Sequence, residues 1–386
     1  MTSQQIRVGV VGCGSIAASH ARAYCASPAA VLVGCADVIE ERADAYAREW
    51  GFAASHASLT RMLAAGDLDL VSIATPPGSH ADLAIEALSE GVDVLVEKPV
   101  CPTLGEFDAI EQAASSAGRT AYAVVQHRHG SGARRARELL ASGALGSAST
   151  VVCETLWYRP DSYFDLDWRG TWAGEGGGPT LGHAIHQIDL MLHLAGAWET
   201  CTATARRLRR PVQFEDVSTA QVTFASGAIG SVVTSLLAPD ELSRIRIDTD
   251  AGSLEIDHVY GYSDTDWRFH PTPDAAAAAT LGKDPGLARP GERAAGPDPW
   301  AASAGEDVPS NHTAQISRLV DDLAQARQHE TTLASVRPTM ELITAIYASA
   351  LTGRTVRRAD ILPGHPFYDR LTGPFSQAEV DALLTR

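Results

Sequence analysis

Between Ile6 and Tyr24 the chain reads IRVGVVGCGSIAASHARAY: an apolar strand, a glycine turn and a helix, with nothing in between. Gly12, Gly14 and Ala17 stand in GxGxxA order. In that context Gly12 permits the tight turn, Gly14 lets a pyrophosphate approach the backbone, and Ala17 lets the helix pack closely on the strand. Ser15 and Ile16 complete the turn at the helix N-terminus, where free N–H groups and the helix dipole favour an anion. The next hundred residues supply the sheet that such a turn needs. VLVGCAD (31–37), LVSIATP (70–76), VDVLVEKP (92–99) and TAYAVVQ (120–126) read as strands buried on both faces. Amphipathic stretches at 40–50, 58–66, 80–91 and 104–118 separate them. This alternation predicts right-handed βαβ units and a doubly wound parallel sheet, a Rossmann domain over residues 1–126.

Asp37 ends the second strand about 20 residues beyond the glycines, where a carboxylate accepts hydrogen bonds from ribose hydroxyls. A carboxylate there repels a 2′-phosphate, and Val38 and Ile39 offer no cation to bind one, so NAD is favoured over NADP, although Arg42 follows one helical turn on. Thr75 and Pro76 in TPPGSH close the third strand and suit the wall of a cofactor cleft at the switch point; His80 either opens the next helix or faces that cleft. Glu97 and Lys98 in VEKPV end the following strand on the same edge. A lysine at that place faces the nicotinamide and can hydrogen-bond, or exchange a proton with, a substrate oxygen.

After residue 126 the pattern changes. STVVCETLWY (149–158), the run 218–238 and RIRIDTDAGSLEIDH (244–258) alternate at period two, with SG and AG marking hairpin turns. They predict a second, α+β domain over residues 127–386 with a mainly antiparallel sheet. Residues 271–310, rich in Ala, Pro and Gly, read as an irregular loop before a helical stretch at 311–353. A net charge of −16 argues against a nucleic-acid partner, since phosphate binding needs clustered Lys and Arg. Six scattered cysteines without a CxxC pair fit reduced thiols better than disulfides or a zinc site. No run approaches the roughly 18 apolar residues of a membrane span, and MTSQQIRVGVVGCG lacks a signal-peptide pattern. A cytoplasmic protein is expected.

GEGGGPTLGHAIHQIDLMLHLAG (174–196) reads as a glycine-rich approach to one helix starting near Pro179 and ending at Gly196. On a helical wheel Gly182, His186, Asp189 and His193 share a face, and His183 lies about 100° away. His183 and His186 at i, i+3 lack a third ligand in view, so no metal is expected. Asp189 and His193 suit polar side chains satisfied at a domain interface. WYRPDSYFDLDWRGTW (157–172) has the aromatic and polar composition of a sugar-binding wall, or of rings packed over the sheet.

VGCGSIA, TPPGSH, EKPV and GGGPTLGHAIHQIDLMLHLAG, in this order, resemble the Gfo/Idh/MocA family of oxidoreductases, as does ELITAIYASALTGRTV, from about residue 6 to about 358. The resemblance implies a Rossmann domain followed by a domain with a large open sheet that mediates homodimers or homotetramers. It implies hydride transfer between a nicotinamide cofactor and a hydroxyl or ketone of a sugar, inositol or related polyol. Lys98 would then contact the reacting hydroxyl and the nicotinamide ribose, and His186 would be the acid/base. Many members carry Asp four residues before that histidine, where this chain has Gly182, and Gly where it has Ala184. His183, Tyr158, Arg159 or Arg169 are candidates to supply the missing polar contact. Three other readings stay open: a ketosugar reductase, an enzyme that cleaves glycosides through transient oxidation, and a nucleotide-binding regulator without chemistry.

Overall fold

The early apolar runs form a six-stranded parallel sheet: β1 (Ile6–Val11), β2 (Ala30–Ala36), β3 (Ala54–His56), β4 (Leu70–Ile73), β5 (Asp93–Val96) and β6 (Ala121–Ala123). The computed structural model describes residues 4–272, 298–303 and 305–385. The spatial order β3-β2-β1-β4-β5-β6 reverses direction between β1 and β4, which makes that crevice the switch point. Five helices connect the strands: α1 (Ala17–Ala26), α2 (Glu40–Trp50), α3 (Leu59–Ala65), α4 (His80–Ser89) and α5 (Leu104–Ala117). The α5 helix starts with a capping box between Thr103 and Glu106, which satisfies two otherwise orphaned N–H groups. The chain returns to this sheet late. Helix His312–Ala324 packs on α1, and its Ile316, Leu319 and Val320 share a core with Val8, Val10 and Tyr24. Full burial of each such aliphatic side chain stabilises by about 1.5–3 kcal/mol.

The second sheet has eight strands: β7 (Ala148–Tyr158), β8 (Trp198–Arg206), β9 (Val217–Phe224), β10 (Ile229–Ser235), β11 (Leu237–Thr249), β12 (Gly252–His258), β13 (Trp267–Pro271) and β14 (Val356–Arg357). Their order is β13-β12-β11-β7-β10-β9-β8-β14. Only β7–β10 pairs in parallel; every other pair is antiparallel, so the sheet is mainly antiparallel as expected. Strand β9 alternates buried and less buried residues, because one face lies under helices. Those helices are α9 (Ile185–Ala195) and Leu333–Thr352, with α6 (Ser131–Ala141) packed on α9. Two short helices, α7 (Trp172–Glu175) and α8 (Pro179–Gly182), lie between β7 and α9. No helix among the described residues is long and apolar enough to cross a membrane.

Two expectations need correction. The loop assigned to 271–310 is not irregular throughout: β13 runs to Pro271 and a helical turn occupies Pro299–Ala302, while 273–297 and 304 lie outside the described residues. The single helix from Pro179 to Gly196 is two. His183 N–H bonds Pro179 O at 3.0 Å, and Ala184 N–H bonds the same carbonyl at 2.8 Å, five residues back. That π-type bond widens one turn, and the regular helix restarts at Ile185. Extrapolating a 3.6-residue wheel across this joint misplaces His183 relative to His186.

Asp189 on α9 anchors the helix to the chain between the sheets. Its carboxylate accepts from Arg128 Nε at 2.7 Å and Thr339 Oγ1 at 3.0 Å, with both charged side chains at most 6% exposed. Removing one partner of such a pair strands the other charge. Asp189→Ala should therefore cost about 3–5 kcal/mol in urea unfolding. A loss below about 1 kcal/mol would mean that the Arg128 guanidinium finds other support.

Candidate active site

The glycine turn has the geometry that a dinucleotide needs. Gly12 has φ +84°, and a Cβ there would lie 2.8 Å from the Ala74 carbonyl and Thr75 Cγ2, so only glycine fits between β1 and β4. Gly14 has open space in the same test and is exposed together with Ser15. The α1 N-terminus after Ile16 has no side-chain cap; Ala17 and Ser19 N–H bond back to Gly14 O and Ile16 O, and the helix dipole still favours an anion at this end. Asp37 accepts from Cys13 N–H and Ile39 N–H, each at 2.9 Å, so it ties the glycine turn to the end of β2. Arg42 Nη1 stands 3.6 Å from its Oδ2. Beyond it Val38 is 90% exposed, an apolar surface of the kind an adenine ring covers. These features fit NAD.

Two of the residues expected at the cofactor are engaged elsewhere. His80 is buried, with Nδ1 2.9 Å from Pro99 O and Nε2 2.7 Å from Thr75 O. It clamps the TPPGSH turn to the EKP turn, and the ring does not open into the cleft. Glu97 is also buried: Oε1 lies 2.9 Å from both His20 Nε2 and His312 Nε2, and Oε2 accepts Lys98 N–H at 3.0 Å. Burial alone would raise this carboxyl, but His312 and His20 outweigh it and hold it well below the usual range. Among the described residues, His20, Glu97 and His312 are also the one cluster with metal-ligand character. Their mutual hydrogen bonds, with Ser72 Oγ 2.9 Å from His20 Nδ1, account for the cluster without an ion. Thr75 Oγ1 accepts from Ser79 Oγ at 2.8 Å, and Pro76 is exposed beside it.

Lys98 reaches across to the end of α8, where its Nζ donates to Gly182 O at 3.2 Å. Burial pulls this ammonium below its ordinary value; Glu97 opposes the shift, and Arg169 and Arg159 add to it. Around Lys98 lies a cleft of about 410 Å³, bordered by Gly182, His183, Trp157, Arg159, Arg169 and Tyr260. A Cβ at Gly182 would touch nothing within 4 Å, so the position of the missing carboxylate is open volume.

The histidines divide as the widened turn dictates. His183 lines the cleft, edge-on to Trp157 at 5.2 Å. His186 lies deeper, stacked on His127 at 4.8 Å, with its Nε2 buried and unpartnered. Burial, then the Lys98 charge, depress both well below the ordinary imidazole value. Both are therefore neutral near pH 7 and able to accept a proton.

Of the other substrate candidates, Arg159 and Arg169 border the cleft. Arg159 pairs with Glu241 at 2.9 Å and lies over Trp157; Arg169 pairs with Glu175 at 3.2 Å and lies over Tyr163. Tyr158 does not border it. Strand alternation turns Trp157 inward and leaves Tyr158 42% exposed on the opposite face, under Arg210. Sequence reasoning also missed His127 and Tyr260; only Trp157 was within reach, through the period of β7.

A switch-point glycine turn, joined to a cleft that gathers a lysine and neutral histidines, defines a two-domain NAD-dependent oxidoreductase. The chain belongs to the GFO/IDH/MocA family: residues 6–126 match its oxidoreductase NAD-binding Rossmann fold, and 133–255 its C-terminal domain. It is 26% identical to levoglucosan dehydrogenase of Pseudarthrobacter phenanthrenivorans over 261 residues, 59% of this chain and 67% of that one. It is 28% identical to scyllo-inositol 2-dehydrogenase (NAD(+)) of Bacillus subtilis over 241 residues, 61% of this chain and 68% of the relative. Among solved structures it resembles the WlbA dehydrogenase of Bordetella pertussis, in complex with NADH and UDP-GlcNAcA, with a TM-score of 0.78 and 26% identity. That match covers 92% of this chain and 99% of the other.

Gly12→Ala should lower NAD affinity by roughly tenfold or more, read from NADH fluorescence on titration. An unchanged affinity would show that the cofactor does not lie against this turn.

Proposed function

We propose that this protein oxidises a secondary hydroxyl of a sugar, inositol or related polyol with NAD, and works in the cytoplasm as a homodimer or homotetramer. The observation that carries the reading is Lys98: it joins the edge of β5 to the backbone of Gly182, beside neutral histidines, at the mouth of a cleft walled by aromatic rings and arginines. Bound along the Gly12–Ala17 turn and Asp37, NAD supplies the hydride acceptor. The chain's own groups do the rest. Lys98, positive and partly desolvated, orients the substrate oxygen and stabilises negative charge on it. His186 Nε2, which has no other partner, takes the hydroxyl proton. Trp157 and Tyr163, with Arg159 and Arg169 lying over them, wall the cleft, and the two arginines offer donors to a sugar's oxygens.

A second reading rests on one observation: His183, and not His186, borders the cleft with Lys98. In that version His183 accepts the proton, and His186 supports the cleft from behind through its stack on His127.

A screen of sugars and inositols with NAD and NADP, following absorbance of the reduced cofactor, should find a substrate with NAD preferred. Lys98→Ala and His186→Ala should each lower kcat/KM by about 10²- to 10⁴-fold. Parental rates in both would overturn the reading, and large losses at Lys98→Ala and His183→Ala with His186→Ala near parental would favour the second.

The pH profile follows from the same two groups. A base with a depressed pKa stays unprotonated as pH falls, so the acid limb of kcat/KM should lie below the ordinary histidine value of 6.5. A lysine with a depressed pKa loses its charge early as pH rises, so the alkaline limb should lie below 10.5. An acid limb at or above the ordinary histidine value would exclude a buried histidine as the base.

A further inference from the structure

The described residues enclose a second cavity of about 560 Å³ that shares no lining residue with the Lys98 cleft. It lies where α6, α9, His312–Ala324 and Leu333–Thr352 meet. Five arginines border it, Arg128, Arg134, Arg137, Arg318 and Arg358, against two carboxylates, Glu138 and Glu330. In a chain with a net charge of −16, this is a local reversal of sign.

The arginines are unequally matched. Arg128 forms the back wall and is held by Asp189 and Ser335. Arg358 gives its Nε to Glu341 at 2.7 Å, and Arg318 comes no nearer than 4.0 Å to Glu330. Arg134 and Arg137 reach no carboxylate among the described residues, and Arg134 Nε is buried without a hydrogen-bond partner. Guanidinium groups beside a cavity with no carboxylate partner leave an unmatched positive charge that an anion can satisfy. The surrounding field is positive enough that burial, together with Arg128 and Arg137, pushes His193 down to about 3.

We infer that this cavity binds a small phosphorylated metabolite. The volume falls in the ordinary range of small-ligand sites. Guanidinium groups match phosphate oxygens in bidentate geometry, and a multiply charged group satisfies several of them at once, which a single carboxylate does not. Leu192 and Pro338 provide an apolar wall for a carbon skeleton.

The test uses the full-length protein saturated with NAD, so that the glycine turn is filled, and titrates inorganic pyrophosphate by calorimetry. One pyrophosphate per chain should bind, and Arg134→Ala with Arg137→Ala should weaken it by roughly tenfold or more at an unchanged melting temperature. If the double variant does not fold, the single Arg137→Glu, on an exposed position of α6, should give the same loss. No binding up to about 10 mM pyrophosphate overturns the proposal. So does binding that neither variant alters, or citrate binding more tightly than pyrophosphate.

Discussion

The Glu97 carboxylate accepts from His20 on α1, from His312 at the head of a late helix, and from the backbone of Lys98, and all of this occurs out of contact with water. A buried charge is tolerated only when it is fully partnered, so these contacts are obligatory once the strand ends there. They fix three separate stretches of chain around the residue before the lysine. His80 adds a second tie, holding the turn after β4 to the turn after β5. The lysine ammonium is thus carried on a rigid edge although its own side chain is long and flexible. Its reach to Gly182 depends on that rigidity.

This division of labour explains which parts were legible in the sequence. The strands, the glycine turn and Asp37 are local patterns: apolar runs, small residues at fixed offsets, and an acid at a strand end. They survive because nothing distant competes with them. Strand β3 has three residues and shows no period; β8 carries Thr at alternate positions and lacks a long apolar run. The roles of Glu97 and His80 are set by residues from 5 to 215 positions away, which no local pattern encodes. Composition places Tyr158 at the cleft, whereas strand alternation turns it to the opposite face. The break at Ala184 is a backbone event within a sequence that reads as continuous helix.

The cleft combines two kinds of surface that sugars use. Trp157 and Tyr163 are large and stiff, and Arg159 and Arg169 lie against them with partners that limit their motion. Such side chains hold hydrogen-bond donors in place at little further entropy cost on binding. Gly182 leaves open volume beside the Lys98 ammonium, in a cleft whose fixed charges are Arg159 and Arg169 with their partners Glu241 and Glu175.

The wide turn at Pro179–Ala184 has a consequence of its own. A five-residue bond accommodates one more residue than a regular helical turn. Closing it would turn everything before it by about 100° relative to α9. The angle between the two imidazoles is thus set by the length of a single loop of hydrogen-bonded backbone. A one-residue deletion there would change the angle at which His183 stands to His186. In this segment, counting residues matters as much as naming them.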